Sequence, residues 1–100
     1  MKDRFLRWLL GISLLGVAAC AATLPQVTPQ DAERLNAPLA DLRKGRARYV
    51  AKCTGCHPLH NPADYTDADW THQVEEMTPQ ARLTEEDARL ILSYLQAMNR

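Results

Sequence analysis

The pentapeptide Cys53-Thr54-Gly55-Cys56-His57 constrains this 100-residue chain more than any other stretch. Two cysteines separated by two residues and followed at once by histidine form the attachment pattern of c-type haem. In such a motif each thiol adds to one vinyl group of the porphyrin, and the adjacent imidazole becomes the proximal ligand of the iron. The motif therefore predicts one covalently attached haem c, held by Cys53, Cys56 and His57.

Two other kinds of site contain the same cysteine pair. A thioredoxin-like redox pair needs alternating strands and helices around it, and the sequence has no strand-like run of that kind. A zinc site would combine the two cysteines with two of the three histidines, His57, His60 and His72. Because His60 and His72 lie far apart in the sequence, the compact second ligand pair of a typical structural zinc site is missing. Both alternatives stay open, although haem agrees best with the rest of the chain.

The first twenty residues predict an export signal. Three basic residues precede an apolar run from Trp8 to Ala19, which is too short for a comfortable membrane span but typical of a signal-peptide core. The run ends in Val17-Ala18-Ala19-Cys20, which resembles the lipobox of bacterial lipoproteins. This resemblance implies a lipoprotein-type signal peptide over residues 1–19, cleavage before Cys20 and a lipid anchor on Cys20.

Ordinary secretion and an uncleaved anchor are the alternatives to lipidation. Ala19 and Ala21 also satisfy the small-x-small rule for cleavage after Ala21, which would give a soluble periplasmic protein. The cysteine count favours lipidation, because two thioethers and a lipidated Cys20 use all three cysteines without a disulfide. Export also agrees with the haem motif, since c-type haem is attached outside the cytoplasm. We therefore expect an extracytoplasmic protein that Cys20 anchors to a membrane.

The charge pattern excludes some functions. From Cys20 onward the chain has nine Lys and Arg against eleven Asp and Glu, which is not the composition of a nucleic-acid-binding protein. Five bases cluster within residues 43–52, just before the haem motif. An ordinary solvated helix face explains this cluster, and orientation toward a redox partner is the alternative. No acid/base pair, nucleophile constellation or phosphate loop is present, so we expect neither an enzyme nor a small-molecule substrate.

Local signals predict an all-α chain with four helical segments. Residues 20–38 have the prolines and small polar residues of a tether, and they include a short helix capped by Thr28 and stopped by Asn36-Ala37-Pro38. A second helix runs from about Leu39 or Asp41 to Cys53.

Two further helices follow the haem motif. One starts behind a capping-box-like Thr66 and ends at Thr78-Pro79, and the closing helix starts behind Thr84 and ends near Asn99. Each of the last three helices has an apolar face. In the second helix it is Leu42, Gly45, Tyr49 and Cys53; in the third it is Trp70, Val74 and Met77; in the closing helix it is Ala88, Ile91, Leu92, Leu95 and Met98. Tyr94 flanks the face of the closing helix, where it could meet Gly45 or Tyr49.

A six-coordinate haem iron needs a second axial ligand opposite His57. His60 follows on the same loop as His57, His72 lies on the solvated side of its helix, and Met98 belongs to the closing helix stripe. Met77 lies at a helix end on the apolar face, so we predict it as the distal ligand. A methionine in this position raises the reduction potential relative to two histidines.

The order of these features resembles the bacterial monohaem cytochromes of the class I cytochrome c superfamily, over about residues 39 to 99. The resemblance implies a small cytochrome c-like domain over residues 39–100, in which the first and last helices cross through Gly45, Tyr49 and Tyr94. The interval between His57 and Met77 is much shorter than in mitochondrial-type members, and resembles small domains that read Cys-x-x-Cys-His-Pro, then Trp-x3-Val-x2-Met, then Tyr-Leu.

This resemblance implies a membrane-tethered, periplasmic one-electron carrier that exchanges electrons with redox partner proteins. A haem-bearing subunit of a periplasmic oxidoreductase complex is the first alternative, and a five-coordinate haem sensor is the second. We also expect Tyr65 and Trp70 to pack near the haem, with Arg82 as a candidate partner of its propionates.

Overall fold

A computed structural model of the protein describes residues 24–54 and 58–99. Over these ranges the chain is helical and has no strand, so the predicted all-α class is confirmed. The predicted signal peptide, Cys20, and Cys56 and His57 of the haem motif lie outside the described residues. The elements are α1 (Pro29–Leu35), α2 (Leu39–Cys53), a 3-10 turn (Pro62–Asp64), α3 (Asp67–Gln80) and α4 (Glu85–Ala97). In the part of the chain that is described, no helix is both long enough and apolar enough to cross a membrane.

Threonines begin three of the four helices, as the sequence predicted. The hydroxyls of Thr28, Thr66 and Thr84 each accept a hydrogen bond from the backbone N–H three residues further on. At Thr28 and Thr84 the aspartate at that position accepts the threonine N–H in return, which completes a capping box. Of the predicted box at Thr66, only the bond to the threonine hydroxyl is formed. These caps satisfy backbone donors that a helix start leaves without partners.

Helices α2 and α4 cross in close contact at Gly45. A β-carbon placed on Gly45 would collide with the Leu90 carbonyl group, and it would lie 2.9 Å from Tyr94 Cβ. Glycine has no β-carbon, so it is the residue that permits this approach. Tyr49 and Tyr94 pack beside the crossing with ring centroids 6.3 Å apart. The predicted meeting of Tyr94 with Gly45 and Tyr49 is therefore confirmed, although Tyr94 is fully buried rather than flanking the core.

The hydrophobic core lies between α2, α3 and α4. Helix α4 ends at Ala97, two residues before the predicted end, and Met98 caps it. Met98 is buried, as expected of a packing residue. The core includes Leu42, Tyr49, Cys53, Trp70, Val74, Ile91, Tyr94 and Leu95.

Residues 24–28, which we call the strap, pack on this helical core. The side chains of Leu24 and Val27 are only 9% and 7% exposed. The Pro25 carbonyl accepts hydrogen bonds from the Tyr94 hydroxyl at 2.8 Å and from Arg46 Nε at 3.2 Å. The composition predicted a tether here, but two apolar side chains and these donors hold the segment against α2 and α4.

Helix α3 ends later than the sequence predicted. Thr78 and Pro79 lie within its last turn. The fixed φ of proline is compatible with a helix, and the helix ends one residue after Pro79, so the proline disturbs only its end. The chain then turns through Arg82, whose φ of 54° is left-handed, and the Leu83 N–H donates to the Thr78 carbonyl at 2.9 Å. This is a Schellman turn, and it directs Leu83 back against the core.

Candidate haem-binding cleft

An apolar cleft lies between α2, α3 and α4, next to the described end of the haem motif. Cys53 and Met77, two of the residues predicted to hold haem, line it together. Most of the other lining side chains are aliphatic or aromatic. The complete lining is Tyr49, Cys53, His60, Trp70, Gln73, Val74, Met77, Leu83, Ile91 and Leu95.

The helical repeat of α2 carries Cys53 into this cleft. Leu42, Gly45, Tyr49 and Cys53 are spaced by three or four residues, so they share one face of the helix. That face packs on α4 through Gly45, and Cys53 at its end is 6% exposed. The first cysteine of the motif is thus directed toward the core rather than toward solvent.

Met77 reaches the same cleft from the last turns of α3. Trp70 and Val74 precede it at helical spacing and are buried, while Met77 itself is half-buried. The turn after α3 brings Leu83 to the same lining. The predicted apolar face of this helix is therefore confirmed, and it places a thioether side chain in the cleft that contains the Cys53 thiol.

The other ligand candidates occupy different positions. The His72 side chain is 70% exposed and its Nε2 lies 3.1 Å from Glu76, so the predicted solvated position of His72 is confirmed. Met98 packs at the end of α4. His60 does line the cleft, with its ring edge-on to Tyr65 at a centroid distance of 5.4 Å. Among the candidates in the described ranges, Met77 and His60 are therefore the two at the cleft.

Of the histidines named for a zinc site, His60 lines the cleft together with Cys53. In residues 24–54 and 58–99, no three His, Cys, Asp or Glu side chains are grouped so that they could hold a metal ion. His72 is exposed and is not among the residues that line the cleft with Cys53. Cys56 and His57, which the zinc and the haem interpretations share, lie outside these ranges.

Two buried aromatic donors hold the loop that follows the haem motif. The Tyr49 hydroxyl donates to the His60 carbonyl at 2.8 Å, and the Trp70 indole N–H donates to the Pro62 carbonyl at 2.8 Å. Burial raises the pKa of the Tyr49 phenol, so the hydroxyl keeps its proton and acts as a donor. The sequence analysis predicted neither bond. Because buried Tyr and Trp side chains usually have a hydrogen-bond partner, a partner for each could have been expected.

The aromatic residues predicted near the haem form one cluster. Tyr65 and Trp70 meet edge to face with ring centroids 4.9 Å apart, and Trp70 meets Tyr49 in the same way at 6.3 Å. Trp70 lines the cleft, whereas Arg82 is exposed in the turn after α3. The predicted contacts of these residues with haem stay predictions.

Part of the basic cluster on α2 has structural partners within the chain. Arg46 donates to the carbonyls of the strap. Arg48 Nε lies 3.4 Å from the Asp87 carboxylate, whose pKa is lowered mainly by its hydrogen bond from the Thr84 N–H and less by Arg48. Arg46 and Arg48 are thus engaged within the fold, whereas Arg43, Lys44 and Lys52 are exposed, as expected of a solvated helix face.

No family model matches this chain, and neither a curated protein nor a solved structure matches it. The function is therefore inferred from the motif and from the geometry of the cleft.

Proposed function

We propose that the protein transfers single electrons through one haem c, bound covalently by Cys53 and Cys56, with His57 as proximal and Met77 as distal ligand of the iron. The observation that carries this proposal is the Cys-x-x-Cys-His motif, whose first cysteine lines an apolar cleft together with Met77. When bound, haem c supplies a reversible one-electron change between ferric and ferrous iron.

The donor set of the cleft fits this group. A cysteine thiol adds across a vinyl double bond: the sulfur forms the new carbon bond and the thiol hydrogen ends on the second vinyl carbon. Met77 offers a soft thioether, which suits low-valent metal ions and favours the ferrous state of haem iron. The lining is otherwise largely apolar, which suits the faces of a porphyrin.

The buried side chains of the cleft would keep water away from a bound haem. Trp70, Ile91 and Leu95 are at most 3% exposed, so their apolar side chains would shield one side of the haem from solvent. Tyr49 and Trp70 hold the loop behind His57 through the bonds to His60 and Pro62. A rigid ligand environment of this kind suits a carrier more than a catalyst.

The size of the protein supports a structural role for the cofactor as well. A mature chain of about 80 residues has a marginal core by itself. Covalent haem would add apolar volume between α2, α3 and α4.

We propose an extracytoplasmic location with Cys20 as lipid anchor, and redox proteins as partners. A permanent subunit of an oxidoreductase would differ in its partner but not in this chemistry.

The intact mass of the protein after export and cytochrome c maturation tests the proposal. We expect the mature chain to carry the mass of one haem that survives denaturation. A Cys53→Ala, Cys56→Ala double variant is the matched control and should carry none. A wild-type protein without covalent haem, matured beside a known c-type cytochrome as a positive control, would overturn the proposal.

A further inference from the structure

The strap begins only a few residues after the predicted lipid anchor. Leu24 is the first described residue and is already buried. Four chain steps separate Cys20 from Leu24, and four fully extended residues span at most roughly 14 Å. A tether reaching to residue 30, as the composition suggested, would span roughly 36 Å. Because the strap is packed on the core, the maximum distance between Cys20 and the folded domain is much shorter than the sequence predicted.

The strap is fastened at the crossing of α2 and α4. Arg46, the neighbour of Gly45, donates to the Leu24 carbonyl at 3.4 Å and to the Pro25 carbonyl at 3.2 Å. The Tyr94 hydroxyl donates to the same Pro25 carbonyl at 2.8 Å. Detachment of the strap would expose Leu24 and Val27 to water and would break its hydrogen bonds from Arg46 and Tyr94, so it would cost free energy.

From this geometry we propose that the strap holds the domain directly against the lipid bilayer, with the α2–α4 crossing turned toward the headgroups. The orientation rests on the proposed lipidation of Cys20, and only its consequence for the redox partner rests on the proposed haem. The polar side chain of Gln26 in the strap is exposed to meet the headgroups. Arg43, one turn before Arg46 on α2, is also exposed and provides a cation for lipid phosphates.

This orientation limits which redox partners the protein can serve. Cys53 follows Arg46 by seven residues along α2, a rise of roughly 10 Å, so the cleft stays close to the fastening point. A domain held in this way cannot turn every face outward or move far from the surface. Its partner is therefore a redox protein embedded in, or bound to, the same membrane, with its docking site beside the bilayer.

Neutron reflectometry of the full-length lipoprotein on a supported bilayer tests the inference. The bilayer is phosphatidylcholine mixed with phosphatidylglycerol. The comparison variant has about twelve Gly and Ser residues inserted between Thr23 and Leu24, which adds roughly 20 Å of root-mean-square reach and leaves the strap intact. We expect wild-type protein density to adjoin the headgroups, and a water-rich layer of about that thickness to appear in the insertion variant.

A second variant distinguishes the effect of strap packing from the effect of the chain length between Cys20 and the domain. Leu24→Gly combined with Val27→Gly should release the strap and give a gap between those of the other two proteins, with helicity checked by circular dichroism. An equal gap in wild type and insertion variant, or a released variant that still adjoins the headgroups, would overturn the inference. Failure of the wild type to bind the bilayer would overturn it together with lipidation. The haem spectrum of the same samples reports separately on the proposed function.

Discussion

Replacing Gly45 with alanine tests the close crossing of α2 and α4. The new methyl group would meet the Leu90 carbonyl and Tyr94 Cβ, as described above. The Leu90 carbonyl belongs to the backbone of α4, so it cannot move aside as a flexible side chain would. The two helices would have to separate or shift along each other, which would loosen the neighbouring packing of Tyr49 and Tyr94.

Two opposing effects set the size of the change. Overpacking of a well-packed core costs roughly 1–3 kcal/mol, and a backbone obstacle favours the upper part of that range. Alanine in place of glycine within a helix returns about 1 kcal/mol. We expect a net loss of about 1–2 kcal/mol in the free energy of unfolding. For a domain of this size that corresponds to a fall of roughly 4–16 °C in the melting temperature.

Urea unfolding followed by circular dichroism measures this loss. Ala47→Gly on the exposed side of the same helix is the matched control, because it reports the propensity difference without a contact to α4. We expect Ala47→Gly to cost up to about 1 kcal/mol. If Gly45→Ala were neutral, or stabilised the protein by the same amount, the close crossing of α2 and α4 would be refuted.

Three further substitutions test the site and its support. Met77→Ala should remove the thioether-to-iron absorption band in the near infrared and let carbon monoxide bind the reduced protein, and persistence of the band would exclude Met77 as the ligand. Tyr49→Phe should lower the free energy of unfolding by about 1 kcal/mol, because the His60 carbonyl loses its donor; unchanged unfolding in urea would contradict that bond. The pKa of Asp87 is lowered in the folded state mainly by the hydrogen bond from the Thr84 N–H. Its contribution to stability is therefore present above the ordinary pKa of an unfolded aspartate and is lost as the pH falls through the lowered folded value. Asp87→Asn should therefore flatten the dependence of stability on pH in that acidic range, and an unchanged slope in acid unfolding would refute this assignment.

The helices were predictable because their signals are local. Thr28, Thr66 and Thr84 precede acidic first turns, and each begins a helix in the structure. Asn36 stops α1 by adopting a left-handed conformation, which asparagine tolerates well. A cap depends on residues within one turn, so its sequence pattern is sufficient. The end of α3 was misjudged because a proline weakens a helix without necessarily ending it at once.

The strap was not predictable because its partners are distant in sequence. Two apolar residues, Leu24 and Val27, are too few to define a helical or strand period, and the donors that bind Pro25 come from Arg46 and Tyr94. Proline and small polar residues are shared by flexible tethers and by packed extended segments. Only the three-dimensional neighbours distinguish the two.

The candidate site was predictable in its residue types but not in its surroundings. The motif and the helical period indicated Cys53 and Met77, and the structure adds that the two line one cleft. The bonds from Tyr49 and Trp70 to the loop could not be assigned, because any buried carbonyl in reach would have satisfied these donors. The sequence spacing also could not show that His60 lines the same cleft.

The absorption spectrum of the reduced, exported protein, recorded before and after addition of carbon monoxide, tests the central claim most directly. An electron carrier with His57 and Met77 on the iron should have the spectrum of a low-spin c-type haem and should be unchanged by carbon monoxide. A spectrum that shifts with carbon monoxide would contradict the distal role of Met77 and favour a five-coordinate sensor. A protein without a haem spectrum would contradict the account as a whole.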